Sequence, residues 1–546
     1  MFPQNPAIAA KWRATARLSV YRTCSRFRPV NALGLWAIAA RAPEAPAVIG
    51  PGGTAVSYAG LAREADRYGR GFQSLGLTAG DTVAALLPNG VTALAVYFAA
   101  IETGLYVVPV NWHQVPAEVA YILRDSAAGV FVADERFAAT AAEAATLAGI
   151  THRFAAGRAG SVPGFEPLGA LGDDGSAQRP SPRTHGAPML YTSGTSGRPK
   201  GVRRPLTGAD PDDAAVTAAW FFHLFGLAPF DGHVHLCGSP LYHTAVLNFA
   251  AISIQLGHPV VLMDGWDPEE ALTLIERHRV THTHAVPTQF RRMLALPAAA
   301  RARYDTGSLR AVIHSAAPCP QQVKRQMIEW LGPVIVEYYA ATEGGGTLIT
   351  AEEWLRRPGS VGLPWQGSEV RVLDRAGQEV APGQRGLVYM RMGTSSFSYH
   401  NDEQKTRAAR AGDLFTVGDI GYLDEDGYLF LCDRDSDVII SGGVNIYPAE
   451  IEAELSCHPA VADAAVFGIP HDDWGEEVKA VVEPVAGTRP GPELTQELLA
   501  FLAGRVARFK LPRTIDYAAE LPRDPNGKLY KRRLREPYWA GRDRAI

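Results

Sequence analysis

The chain has 546 residues, nearly half of them hydrophobic and a fifth charged, with a formal net charge of −4. That length exceeds one ordinary core and implies at least two domains, and the composition is that of a soluble globular protein. The mild negative charge argues against nucleic acid as the main partner, and five cysteines (Cys24, Cys237, Cys319, Cys432, Cys457) without C-x-x-C spacing fit reduced cytosolic thiols rather than a disulfide framework or a zinc site.

The first 43 residues hold seven basic side chains (Lys11, Arg13, Arg17, Arg22, Arg26, Arg28, Arg41) and no acid. Organelle transit peptides and membrane-surface segments share that composition, but the apolar core of a secretory signal is missing. Residues 1–34 are read as a basic extension. From Ser57, a capping residue, Leu61, Ala65, Tyr68, Phe72 and Leu75 share one helical face until Gly76 ends it. Thr82 to Leu87 reads as a buried strand, Val91 to Thr103 as a helix and Tyr106 to Val110 as a strand. Strand–helix–strand alternation implies a parallel sheet with right-handed crossovers. Glu102, Gly104 and Pro109 break the apolar run from Val91 to Val110, so no transmembrane segment is expected, and peripheral membrane contact stays open. Ala155 to Gly186, rich in Gly, Pro, Ser and Asp, reads as a long surface loop.

The alternation resumes with a strand at Val260 to Met263, a helix at Pro268 to His278 and a strand at Thr281 to Val286. The pairs His233/His235 and His282/His284 lie in apolar, strand-like runs without a third ligand nearby in sequence, so they read as packing positions. From Gly359, short alternating runs (Glu369 to Leu373, Gly386 to Arg391) mark a β-rich section, and Gly421 to Phe430 reads as a hairpin turning at Asp426-Gly427. A second, small α/β unit follows, with a helix at Pro448 to Ser456, strands at Ala464 to Gly468 and Val478 to Val482, and a helix at Glu493 to Val506. The expected fold is α/β: a large N-terminal domain of parallel or mixed sheets flanked by helices plus a β-rich subdomain, and a small mobile α/β C-terminal domain. The boundaries are 35–434 and 435–546.

The most informative stretch is Leu190-Tyr191-Thr192-Ser193-Gly194-Thr195-Ser196-Gly197-Arg198-Pro199-Lys200-Gly201-Val202. Glycines let backbone approach a ligand, hydroxyls and successive amides bind anions, and Lys200 adds a point charge, so the loop suits a polyphosphate. It is not a Walker loop: five residues after Gly194 stands Pro199 rather than glycine, and Gly201 rather than a hydroxyl follows Lys200. A kinase-type G-x-G-x-x-G is also missing.

Thr192 to Gly201 resembles the phosphate-binding loop of the adenylate-forming superfamily, which includes acyl-CoA synthetases, luciferases and the adenylation domains of peptide synthetases. The resemblance extends over about residues 35 to 540. It implies that Thr192, Ser193, Gly194, Thr195, Ser196, Gly197 and Lys200 bind ATP. Tyr339 to Gly346 is similar to the family's Tyr-Gly-x-Thr-Glu motif, with Ala340 where glycine is usual. Tyr339 offers a face for a purine, Thr342 a hydroxyl, and Glu343 a hard oxygen ligand for Mg²⁺. His314 to Pro318 resembles the loop lining the adenine, which brings in Ser315, Ala316 and Ala317. Asp419 and Arg434 match residues that hold the ribose hydroxyls. Ser436 stands where the family has its hinge Lys or Asp, and Gly442-Gly443 matches the segment that serves the CoA half-reaction. Lys528, in Pro522-Arg523-Asp524-Pro525-Asn526-Gly527-Lys528, resembles the mobile catalytic lysine. His243, Gly344 and Gly345 are expected near the acyl pocket.

The resemblance implies a cytoplasmic carboxylic acid–CoA ligase, monomer or homodimer, using ATP, Mg²⁺ and CoA with catalytic Lys528, Glu343, Thr342 and Lys200. The apolar lining suggests a medium- or long-chain or bulky hydrophobic acid. Transfer to a carrier protein, oxygen as acceptor, or a catalytically decayed nucleotide-binding module are the alternatives.

Overall fold

The computed structural model describes residues 33–192, 199–393, 396–523 and 529–540. Residues 1–32 of the basic extension, Ser193 to Gly197 and Lys528 fall outside them. The fold is mixed α/β, gathered into two compact units: Met1–Ala285, Leu296–Ile313 and Thr394–Ala408 in the first, Val286–Ala295, His314–Gly393 and Ala409–Ile546 in the second. Among the described residues no helix is long and apolar enough to cross a membrane.

In the first unit, Ser57 caps the helix Tyr58–Ser74 by accepting the Gly60 amide, and a left-handed Gly76 follows its end. The helix Val91–Glu102 is apolar all round and buried. Both helices pack into a core with Trp36, Val83, Val107 and Val260. Thr82–Leu86 lies between Tyr106–Pro109 and Ala128–Asp134 in an all-parallel six-stranded sheet. A second parallel set joins Pro46–Ile49, Val260–Leu262, His235–Cys237 and His282–Ala285.

The segment read as a long surface loop is mostly irregular and exposed, but a row of buried side chains straps it down. Val162, Phe165, Leu168 and Leu171 are buried, and Arg67 and Arg70 donate to the carbonyls of Gly169, Leu171, Ser176 and Gln178. A Cβ on Gly71 would come within 2.5 Å of the Leu171 side chain, so glycine is needed mid-helix despite its poor helix propensity.

The two His-x-His pairs face one another across neighbouring strands, His235 in register with His282. Their rings stack at 4.8 Å, and Ser253 Oγ lies 3.2 Å from His235 Nδ1 and 3.1 Å from His282 Nε2. His258 joins them, its ring 5.5 Å from that of His282. Among the described residues no group of three or more His, Cys, Asp or Glu side chains is arranged to hold a metal ion.

The second unit contains an antiparallel run from Ile335–Ala341 through Gly344–Thr350, Ser360–Pro364, Leu429–Arg434, Leu414–Leu423 and Gly386–Met392 to Ser368–Leu373. A five-stranded sheet follows, built on the long hairpin Val461–His471/Gly475–Pro484. The helices Pro448–Leu455 and Pro492–Leu502 contribute Ile451, Leu455, Leu498 and Leu502 to its core.

Candidate active site

In the first unit, Thr192 and Lys200 are register partners in a hairpin, so the strands Leu190–Thr192 and Lys200–Arg203 bracket the glycine-rich segment. Both arms are moored to the helix Pro116–Asp125: Tyr191 donates to Asp125 at 2.7 Å, and Tyr121 donates to the Pro199 carbonyl. Lys200 Nζ lies 3.1 Å from Asp402, and that hydrogen bond holds the ammonium above its usual range. Hydrogen bonds from the Lys405 amide and Lys200 in turn lower the Asp402 carboxyl. Asp402 was not legible as a partner, because two hundred residues separate it from Lys200 and its local role is to cap Glu403–Ala408.

His243 stands at the N-cap of the helix Thr244–Gln255, its ring 4.4 Å from that of Tyr242, which in turn meets Trp112 edge-on at 4.5 Å. The turn before it hangs on a residue that motif reading missed. Asn89, buried, donates to the carbonyls of Ser239 and Met263 and accepts the Leu241 amide. An asparagine two residues after an apolar strand was the available signal.

In the second unit, the strand Ile335–Ala341 turns back at once, with Thr342-Glu343 as the tip before Gly344–Thr350. The reason is in the returning arm, where Gly344, Gly345 and Gly346 all take positive φ. A Cβ on Gly346 would lie 2.2 Å from the Tyr339 carbonyl oxygen. Ala340, at the position of the motif's glycine, is exposed and has no positive φ, so its methyl costs nothing in backbone strain.

Tyr339, Asp419 and Arg434 come together. Asp419 and Arg434 are register partners on neighbouring strands, with Arg434 Nε 3.5 Å from Asp419 Oδ1. Tyr339 donates to Asp419 Oδ2 at 2.7 Å. Burial first, then Asp419, pushes the Tyr339 phenol well above its usual value, so it remains a donor. The Asp419 carboxylate has two oxygens and capacity for further donors, which is the chemistry that vicinal hydroxyls require. Glu343 also acts electrostatically on Tyr339, and its buried side chain offers a hard-oxygen donor of the kind that fits Mg²⁺. Ser315, buried, hydrogen-bonds the Tyr338 hydroxyl, and Ala316 next to it holds a left-handed φ of 73°.

Removing the carboxylate should therefore cut nucleotide affinity. Asp419→Ala is expected to raise the KM for ATP about 10- to 100-fold, the loss of one or two charge-assisted hydrogen bonds. Tyr339→Phe should cost less, since Arg434 still holds the carboxylate. An unchanged KM in Asp419→Ala would remove Asp419 from the nucleotide site.

Gly442 and Gly443, at φ 57° and 77°, form the turn between Ile439–Ser441 and Val444–Ile446, the geometry of a tight hairpin, and Gly442 donates to the Trp474 carbonyl. Ser436 lies in a single helical turn, Asp435–Asp437, and its carbonyl accepts from Arg535.

Residues 35–399 match the family described as AMP-binding enzyme, and residues 450–528 match the AMP-binding enzyme C-terminal domain. A fatty acid–[acyl-carrier-protein] ligase, ScoC, from Streptomyces coeruleorubidus is 32% identical, covering 92% of this chain and 95% of its own. A feruloyl-CoA synthase from an Amycolatopsis species is 33% identical, covering 93% and 99%. Among solved structures, o-succinylbenzoate CoA synthetase from Bacillus subtilis, in complex with an acyl-adenylate intermediate, superposes with a TM-score of 0.77 at 27% identity over 92% of this chain and 97% of that one. With two family matches that together span most of its length, the chain belongs to the AMP-binding enzymes, in the acyl-CoA synthetase branch of the adenylate-forming superfamily, and is an ATP-dependent, AMP-forming acid–thiol ligase.

Proposed function

We propose that the chain is a carboxylic acid–CoA ligase that forms an acyl-AMP and then an acyl-CoA from a medium- or long-chain or bulky hydrophobic acid. The observation that carries this reading is the convergence of Tyr339 and Arg434 on Asp419, with Glu343 on the same hairpin. Relatives named for fatty and aromatic acids support a hydrophobic acid. So does the apolar helix Thr244–Gln255 that follows His243.

In the first step a carboxylate oxygen of the acid attacks the α-phosphorus of ATP, and the bond to pyrophosphate breaks. Two anions approach, so charge must be neutralised at the attacking and leaving oxygens. Lys200 meets charge on the departing phosphates, Lys528 bridges the reacting oxygens, and Asp419 with Arg434 fixes the ribose. Glu343 would hold Mg²⁺, which would supply further charge neutralisation there. In the second step the CoA sulfur attacks the acyl carbonyl carbon and AMP leaves. Residues 435–546 pivot near Ser436, withdraw Lys528 and present Gly442-Gly443 to the pantetheine arm. The enzyme acts in the cytoplasm as a monomer or homodimer, and the basic residues of 1–34 leave peripheral membrane contact open.

The test is a mass-spectrometric screen of mixed carboxylic acids with ATP and CoA, read as the thioesters formed, beside acid-dependent ATP–pyrophosphate exchange. Hydrophobic acyl-CoA products are expected. Silence in both assays across a wide panel would leave a nucleotide-binding module instead. The relative named as an acyl-carrier-protein ligase favours one further reading, in which the acceptor is a carrier phosphopantetheine. AMP release that depends on carrier protein and not on free CoA would establish it.

A further inference from the structure

A lysine inside a protein core needs a reason. Lys324, on the helix Gln321–Leu331, is fully buried, on the same helix as the buried Met327, Ile328 and Leu331. Its Nζ lies 2.5 Å from Glu337 Oε2 and 4.9 Å from the centre of the Trp354 ring. The same Glu337 oxygen lies 3.8 Å from Nε2 of His314, also fully buried. Taking such charges out of water costs several kcal/mol per ion, and an apolar pair of similar volume is often as stable or more so. Stability alone is therefore a poor account of the arrangement.

Position supplies a better one. His314 ends the strand Ala311–His314, Ser315 to Pro320 make the loop, and Lys324 lies one turn into the next helix. Both flanks of the loop thus meet at a single carboxylate, Lys324 by a hydrogen bond and His314 by close approach. That carboxylate belongs to the strand whose next two residues are Tyr338, the hydrogen-bond partner of Ser315, and Tyr339, the donor to Asp419. The loop also holds Ala316 at φ 73°. A non-glycine residue pays roughly 1–2 kcal/mol for that conformation and keeps it only where its surroundings over-determine the backbone.

We propose that Lys324, Glu337 and His314 are positioning residues that pin the Ser315–Pro320 loop at both ends and hold it preformed for the adenine of the nucleotide. The proposal rests on the reading of Ser315 to Ala317 as adenine-lining. The network makes no contact of its own with the reacting atoms; it fixes the loop against the strand that carries Tyr339, the donor to Asp419.

The decisive variant is the double substitution Lys324→Met/Glu337→Leu, because either single change leaves a buried charge without its partner. AMP affinity is measured by calorimetry, ATP KM and kcat by pyrophosphate exchange, and folding by thermal melting. The double variant is expected to melt within a few degrees of the parent, as about 1 kcal/mol or less would produce. It should bind AMP about tenfold more weakly and raise the ATP KM to match, with kcat at saturating ATP and the KM for the acid unchanged. A folded double variant with parental AMP affinity overturns the proposal. So does a fall in kcat and a rise in every KM alike, and so does a double variant that does not fold, since the pair would then belong to the framework. AMP binding is read with no acid present, so a wrong assignment of the acid leaves this comparison intact.

Discussion

Lys528→Ala is expected to abolish acid-dependent ATP–pyrophosphate exchange while sparing thioester formation from supplied acyl-AMP. The first half-reaction drives a carboxylate onto a triphosphate, and a cation between the reacting oxygens is stabilised far more in the transition state than in the ground state. Deleting such a group costs about 10²- to 10³-fold or more. The second half-reaction has a neutral thioester product and an AMP leaving group already formed, and in the proposed alternation Lys528 is then away from the chemistry. Gly442→Val should give the converse pattern. At φ 57° a β-branched residue is strained and would distort the hairpin assigned to the CoA step. Equal loss of both half-reactions in Lys528→Ala would show that one pose serves both steps and that the alternation is wrong.

The elements legible in the sequence are those whose signal is local. The helix Tyr58–Ser74 combined a 3.6-residue apolar period with its own cap and terminating glycine, and it forms as read. The hairpin Leu414–Leu423/Leu429–Arg434 was legible from Asp426-Gly427. Tyr339, Asp419 and Arg434 were each found by motif, and yet their meeting depends on sheet pairing across eighty residues that no local pattern carries. Asp402 and Asn89 were missed for the same reason, each acting on residues far away in the chain; Lys324 pairs with Glu337 only thirteen residues on, but a helix–strand contact has no sequence period of its own. In the surface loop at 155–186 it was the anchoring at 162–171 that went unread. Its Gly, Pro and Ser content outweighed an apolar residue at every third position, Val162, Phe165, Leu168 and Leu171, which was the sign of burial.

The buried histidines make the first unit sensitive to acid. Desolvation is the first cause in every case: it lowers His235 to about 3, His258 and His284 to about 4, and His282 well below its ordinary value. Neighbouring histidines add to the depression, as with His284 on His235, and the rings of His235 and His282 stack at 4.8 Å, too close for both to be charged. The other charges near the cluster sit at its edge, with Asp231 3.7 Å from His233 and Arg310 acting on the same ring. Because the folded values lie below the unfolded one near 6.5, the stabilisation is complete above pH 6.5 and is lost as pH falls toward 4. His235, His258 and His284 each forfeit about 2 kcal/mol at pH 5, and His282 acts in the same direction. Glu102 works in the opposite sense. Burial raises it to about 9, so its protonated form gains stability as pH falls and offsets about one histidine. From the three histidines and Glu102 the net loss between pH 7 and pH 5 is then about 4 kcal/mol, a large part of the stability of a domain. Urea unfolding followed at several pH values should show the midpoint dropping steeply from pH 6.5, before ordinary carboxylates titrate. Replacing His282 with asparagine, which cannot take up a proton but can still hydrogen-bond Ser253, should flatten the slope by about one proton. A midpoint unchanged between pH 7 and pH 5 would mean that the cluster opens to solvent without unfolding the sheet around it.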